Sequence, residues 1–94
     1  MDKTKCVVKR KGNLEPYDEK KVYASVYSAA LICEYPEKKA EKIALEVMKK
    51  VNSWFAKESK RKKCINSSRI RESVLKNLKD ENVALVYRHH FDLS

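Results

Sequence analysis

Glycine is almost missing from this chain of 94 residues: there is one, Gly12. That scarcity excludes a phosphate loop of the glycine-rich kind, in which backbone reaches the anion through several glycines. Cysteine is sparse as well. Cys6, Cys33 and Cys64 are odd in number and none forms a CxxC pair. The pattern argues against a disulfide framework or a zinc ribbon, and for reduced thiols that behave as small buried hydrophobes. Long apolar runs are missing too, so no membrane span and no membrane partner are expected. The start, Met1-Asp2-Lys3-Thr4-Lys5, has none of the apolar stretch of a signal peptide. The expected location is cytoplasmic.

What is present is charge. Charged residues make up 37% of the chain and apolar ones 43%, with a net charge of +9. This balance fits a small globule, one domain over residues 1–94, rather than a disordered chain. The excess of positive charge points to an anionic partner: a nucleotide, a nucleic acid or an acidic protein. Lys57-Glu58-Ser59-Lys60-Arg61-Lys62-Lys63 concentrates five basic residues against one acid and reads as a solvated basic loop.

Periodicity sets the elements. Cys6-Val7-Val8 and Leu14 flank a turn at Lys11-Gly12-Asn13, a hairpin in which Gly12 or Asn13 supplies the positive φ. Pro16 ends the second strand or marks a sheet edge. Asp18 is placed to cap a first helix, with Tyr17 stapled on Val22. Val22, Tyr23, Val26, Tyr27, Ala29, Ala30 and Cys33 form its apolar stripe, and it stops before Tyr35-Pro36. Pro36 suits the first turn of a second helix, whose stripe runs from Ala40 through Val47 and Val51 to Trp54 and Phe55. Cys64-Ile65-Asn66 reads as a third strand, and Ser67 or Ser68 as the cap of a third helix with Ile70, Val74, Leu75 and Leu78. A polar break at Asp80-Glu81-Asn82 precedes a last helix with Val83, Ala84, Val86, Tyr87 and Phe91. The fold class is α+β: a β-hairpin grown to a three-stranded sheet, capping a four-helix bundle.

One constellation could bind an anion. Lys9, Arg10 and Lys21 gather near the hairpin and the first helix start. Arginine can grip a phosphate bidentately and lysine meets it as a compact charge. The helix N-terminus adds its dipole and free N–H groups. Lys21 stands where that dipole would favour an acid, a placement that suits a site with an anion to meet. Strict alternation would send Lys9 and Arg10 to opposite faces, although alternation weakens beside a turn. Glu15 and Asp18 repel phosphate but suit the other end of a nucleotide, accepting from a base amino group or ribose hydroxyls.

The run Val-Val-Lys-Arg-x-Gly-x-x-Glu-Pro-Tyr-Asp-x-x-Lys-Val, from Val7 to Val22, resembles the opening signature of the ATP-cone domain. That family is the regulatory nucleotide-binding module of many ribonucleotide reductases and of the repressor of their genes. Weaker likeness continues through Ala29-Ala30, Ile65-x-Ser-x-x-Ile-x-x-x-Val, and Val83-Ala84-x-x-Tyr87-Arg88, so it spans almost the whole chain. The resemblance implies an ATP or dATP site lined by Val7, Lys9, Arg10, Glu15, Asp18 and Lys21. It implies further contacts from Ser67 and Arg71 at the start of the third helix, and from Arg88 or His89 at the end of the last. The ligand would come with or without Mg2+. The implied role is allosteric: sensing the ATP to dATP ratio and changing association or activity. Two departures stand out. Lys11 replaces the acid or Asn common in the turn, and neither a zinc ribbon precedes nor a reductase barrel follows the domain. Regulation is therefore expected to act in trans, on a protein partner or through self-association.

Other readings are thinner. A small nucleic-acid-binding protein using the Lys57–Lys63 run is the alternative, though no helix-turn-helix or RNA-recognition motif supports it. No Walker Lys-Ser/Thr pair and no carboxylate cluster for magnesium appear, so the chain is not expected to be an enzyme. His89 and His90 are adjacent and cannot share a helix face, so no metal site is expected.

Overall fold

The computed structural model describes residues 6–9 and 11–90. Strands β1 (Cys6–Val8) and β2 (Leu14–Pro16) form an antiparallel hairpin, with Val7 opposite Glu15. Helix α1 (Glu19–Ile32) follows, then α2 (Glu37–Arg61), β3 (Cys64–Asn66), α3 (Ser67–Asn77) and α4 (Glu81–His90). The sheet order is β2-β1-β3, and β3 runs parallel to β1 with Val7 opposite Ile65. The α+β arrangement of a three-stranded sheet and four helices is the one the periodicity predicts.

Gly12 takes the positive φ of the hairpin, +92°. Its N–H donates to the Lys9 carbonyl, and the Lys9 N–H donates to the Asn13 carbonyl, closing the turn. Pro16 ends the edge strand β2, where its missing N–H is no loss to the ladder. Asp18 caps α1 by accepting from the Lys20 N–H at 2.9 Å.

The core lies between the helices. α1 packs on α2 and α4, and α2 packs on α3. Ala29 and Ala30 of α1 and Ala40 and Ala44 of α2 are fully buried. Small side chains at a helix crossing let the axes approach closely. Val26, Val51, Phe55, Val74, Val83 and Tyr87 fill the remaining space. Tyr17, Tyr23, Tyr27 and Tyr35 are half-buried against this cluster.

Several local expectations are corrected. Tyr17 stacks on Phe55 of α2, with ring centroids 4.1 Å apart, and its hydroxyl donates to Asn52 Oδ1. The tyrosine thus ties the hairpin to α2, while also packing against the buried cluster that holds Val22. Pro36 is the N-cap of α2, not a residue of its first turn. Asn66 is the N-cap of α3 and makes no side-chain capping bond, while Ser67 is buried as the first helical residue. The basic run is no loop: Lys57 to Arg61 complete α2, leaving Lys62 and Lys63 as the link to β3. Lys, Glu and Arg are good helix formers, and cations at a helix C-terminus meet the negative end of the dipole. Glu58 adds ion pairs to Arg61 and to Arg69 of α3.

The expectation of three reduced thiols is also overturned. Cys6 and Cys64 face each other across β1 and β3, 4.6 Å apart at Cα, and are joined as a disulfide. Only strand pairing could reveal this, since the two lie 58 positions apart. Cys33 is free and half-buried, and burial pushes its thiol above the ordinary value.

Candidate functional site

A cleft opens where the hairpin meets the starts of α1 and α3. Val7 and Lys9 come from β1 and the turn, Glu15 and Pro16 from β2, Tyr17 and Asp18 from the junction, Lys21 and Val22 from α1, and Ser67 and Ile70 from α3. Six of the nine residues picked out in the sequence therefore share one hollow: Val7, Lys9, Glu15, Asp18, Lys21 and Ser67. The apolar floor is Val7, Val22 and Ile70, all buried. Charge sits at the rim.

The rim has a definite electrostatic arrangement. Lys21 Nζ lies 3.4 Å from Glu15 Oε1, and Lys9 Nζ lies 3.7 Å from the same oxygen. Lys21 is well exposed at 62%, while the Lys9 side chain is largely covered at 20%. The hairpin register is responsible. Glu15 pairs with Val7 in the ladder, so its carboxylate stands between the lysine after β1 and the lysine in the first turn of α1. Asp18 spends one carboxylate oxygen on its capping bond. Burial, with the charges of Glu19 and Asp18, holds the Tyr17 phenol well above its ordinary value, so it stays a neutral donor.

Of the remaining predicted residues, Arg71, Arg88 and His89 stand elsewhere. Arg71 lies one helical turn beyond Ser67, and its guanidinium donates to the Arg88 carbonyl, linking α3 to the end of α4. Neither Arg71 nor Arg88 lines the cleft. The Nε of Arg71 is buried without a hydrogen-bond partner. Arg10 and Phe91 lie outside the described residues. His89 is exposed on the last turn of α4. Pro16, Tyr17, Val22 and Ile70 line the cleft although sequence reasoning did not assign them to it; for Tyr17 the signal was its place inside the Val7–Val22 motif.

The cleft encloses about 30 Å³, room for little more than a water molecule. Two wider hollows are open grooves. One, about 420 Å³, lies between α2 and α3 and is edged by Lys50, Lys57, Arg69 and Lys76. The other, about 520 Å³, adjoins the cleft, sharing Tyr17 and Asp18 with it and adding Asn52 and Phe55. A larger ligand at the hairpin would thus occupy the cleft mouth and extend along this neighbouring groove. Among the described residues no group of three or more His, Cys, Asp or Glu could hold a metal ion. Among the same residues no helix is long and apolar enough to cross a membrane.

No curated protein matches the chain. The family model of the ATP cone domain matches residues 5–91, from just before β1 to just past α4. The match covers every strand and helix that builds the cleft, and the chain belongs to the ATP-cone family of regulatory nucleotide-binding domains.

Proposed function

We propose that the chain binds ATP or dATP at the hairpin cleft and passes the bound state to a protein partner, or to a second copy, by association. The observation that carries this reading is the convergence of Lys9 and Lys21 on one oxygen of Glu15. Two cations held close to an acid at a helix start form a preset anion grip. A triphosphate brings more charge than one carboxylate and can take both lysines from Glu15. The N-terminus of α1 adds its dipole on the same side. Val7 and Ser67 form the inner wall, while Glu15 and Asp18 accept from the base or ribose. Arg71 and Arg88 extend the cationic surface beyond Ser67 toward α4.

The small enclosed volume has a consequence. The nucleotide does not enter a closed pocket; it lies in the mouth, and β2 moves outward to admit it. β2 is able to do so, being three residues long, paired on one side only and, unlike β3, not joined to β1 by the disulfide. Binding then changes the surface the hairpin presents, which is how a regulatory domain transmits a signal. Telling ATP from dATP rests on one ribose hydroxyl, so a coupling of about 1–3 kcal/mol is expected.

Calorimetric titration with ATP and with dATP tests the reading on the wild type and on the Lys9→Ala/Lys21→Ala double variant. Saturable heat in the wild type that is lost in the double variant is the expected result. Equal heats in both proteins would remove the site from the hairpin.

A further inference from the structure

The cysteine pair stands directly behind the cleft. Cys6 precedes Val7, which lines the inner wall, and Cys64 opens the strand that runs into Ser67. β1 and β3 are each three residues long, and β3 is paired with β1 alone. So short a parallel pair is weakly held by its own hydrogen bonds. The sulfur bridge is therefore the strongest tie between the wall that carries Val7 and Lys9 and the wall that carries Ser67. We propose that Cys6 and Cys64 are a reversible thiol–disulfide site, and that closing the bond tightens nucleotide binding by fixing these two walls.

The geometry admits both redox states. In the oxidised state the Cα separation of 4.6 Å falls within the ordinary range for a disulfide. In the reduced state the Cys6 thiol has an acceptor in place, the Lys63 carbonyl, 3.7 Å from its sulfur. The two sulfurs differ in access, for Cys6 is buried and Cys64 half-buried. Lys62 and Lys63, both exposed, immediately precede Cys64 and leave its approach open to a charged thiol reagent. Cys33 is a contrast: it has no partner cysteine, and burial and the nearby Asp80 charge favour its protonated form.

The exchange balances with a low-molecular-weight disulfide as oxidant. The Cys64 thiolate attacks one sulfur of that disulfide and expels one thiolate, leaving a mixed disulfide on Cys64. The Cys6 thiolate then attacks the Cys64 sulfur, forming the internal bond and expelling the second thiolate. Two protein thiols are oxidised, and one external disulfide is reduced to two thiols. A dithiol reductant reverses both steps.

The effect on affinity rests on the nucleotide site proposed above. Fixing β1 to β3 leaves the hairpin edge β2 as the part that moves, so the inner wall is set before the ligand arrives. Ordering done in advance is not charged to binding.

The test uses the full chain equilibrated with glutathione disulfide or with excess dithiothreitol. Alkylation with intact-mass readout reports the thiols, and ATP titration follows on each form. The expected oxidised wild type alkylates at Cys33 alone and binds ATP about fivefold or more tightly than the reduced form. In Cys64→Ser and Cys64→Ala that difference disappears, whereas Cys33→Ser retains it. Three free thiols after oxidation would overturn the site itself. A closed bond with equal affinities in the two forms would overturn the coupling. Absence of ATP binding in both forms would overturn the nucleotide reading and the coupling together, and the mass result would separate that from failure of the cysteine pair.

Discussion

Lys21 holds its ammonium 3.4 Å from Glu15 Oε1, across the junction between the hairpin and α1. The pair is partly exposed, so it adds little to stability, of order 0–1 kcal/mol. Under the proposed function its interest lies in competition, for Glu15 holds the lysines proposed to meet the phosphates.

Replacing Glu15 with Ala separates two roles. Inorganic triphosphate should bind more tightly to Glu15→Ala, because the internal rival is gone. ATP should gain less, because the acceptor for base or ribose is gone as well. The ratio of ATP to triphosphate affinity is expected to fall about tenfold, near 1.4 kcal/mol. Competition titrations at fixed ionic strength check this. Equal gains for both ligands would reduce Glu15 to a counter-ion.

Asp80 joins two parts of the bundle. Its Oδ1 accepts from the Asn82 and Val83 N–H groups at the start of α4, and its Oδ2 accepts from the Tyr35 hydroxyl at 2.7 Å. Burial pushes the carboxyl up, but the Tyr35 bond, the two backbone bonds and the Lys39 charge together hold it below its ordinary 3.8. A carboxylate depressed in the folded state stabilises fully above its unfolded value. That contribution is lost as pH falls from about 3.8 through the lower folded value. Asp80→Ala should cost about 1–2 kcal/mol at neutral pH through the lost cap alone. Urea melts at pH 7 and pH 3 should show a smaller gap between wild type and variant at the lower pH.

Much of this architecture was legible because apolar spacing and turn chemistry are local. Gly12 at the hairpin, Asp18 at the cap and the stripe from Ala40 to Phe55 each depend on residues within a few positions. What escaped the sequence depends on distant partners. The Tyr17 ring met Phe55 on another helix, and Cys6 met Cys64 through a parallel pairing that no spacing rule encodes. The clustered charge of Lys57–Arg61 suits a solvated loop as well as a helix end, and Glu58 gains its partner Arg69 only on folding. At the cleft, six of the residues singled out share one hollow, whereas Arg71 reaches the Arg88 carbonyl at the end of α4, a contact invisible until the helices pack.

Helix α1 ends without glycine. The Tyr35 N–H donates to the Ala30 carbonyl and the Glu34 N–H to the Leu31 carbonyl, the paired bonds of a Schellman stop. Glu34 must then adopt the left-handed region, φ +65°. A residue with a Cβ pays about 1 kcal/mol there that glycine does not. Glu34→Gly should therefore stabilise the fold by up to about 1 kcal/mol, less a little for the greater freedom of the unfolded chain. Thermal melts of the two proteins check the sign, and a loss of stability would mean that the exposed Glu34 side chain contributes more than its backbone strain.

The Cys6–Cys64 bond spans 58 positions, so reducing it releases a long loop in the unfolded chain. Loop-closure entropy puts the loss at about 4 kcal/mol. Domains of this size have total stabilities of about 5–15 kcal/mol, so the reduced form should stay folded but with a large part of its margin removed. In a domain under 100 residues that loss lowers Tm by roughly 15–30 °C. Scanning calorimetry with and without a dithiol reductant measures the shift directly. Cys64→Ala should melt near the reduced wild type and ignore the reductant, while Cys33→Ser should keep the full response. Coincident melting curves for oxidised and reduced wild type, with the bond verified by mass, would place the two strands together in the unfolded ensemble already, since only a loop closed before unfolding has no entropy left to lose.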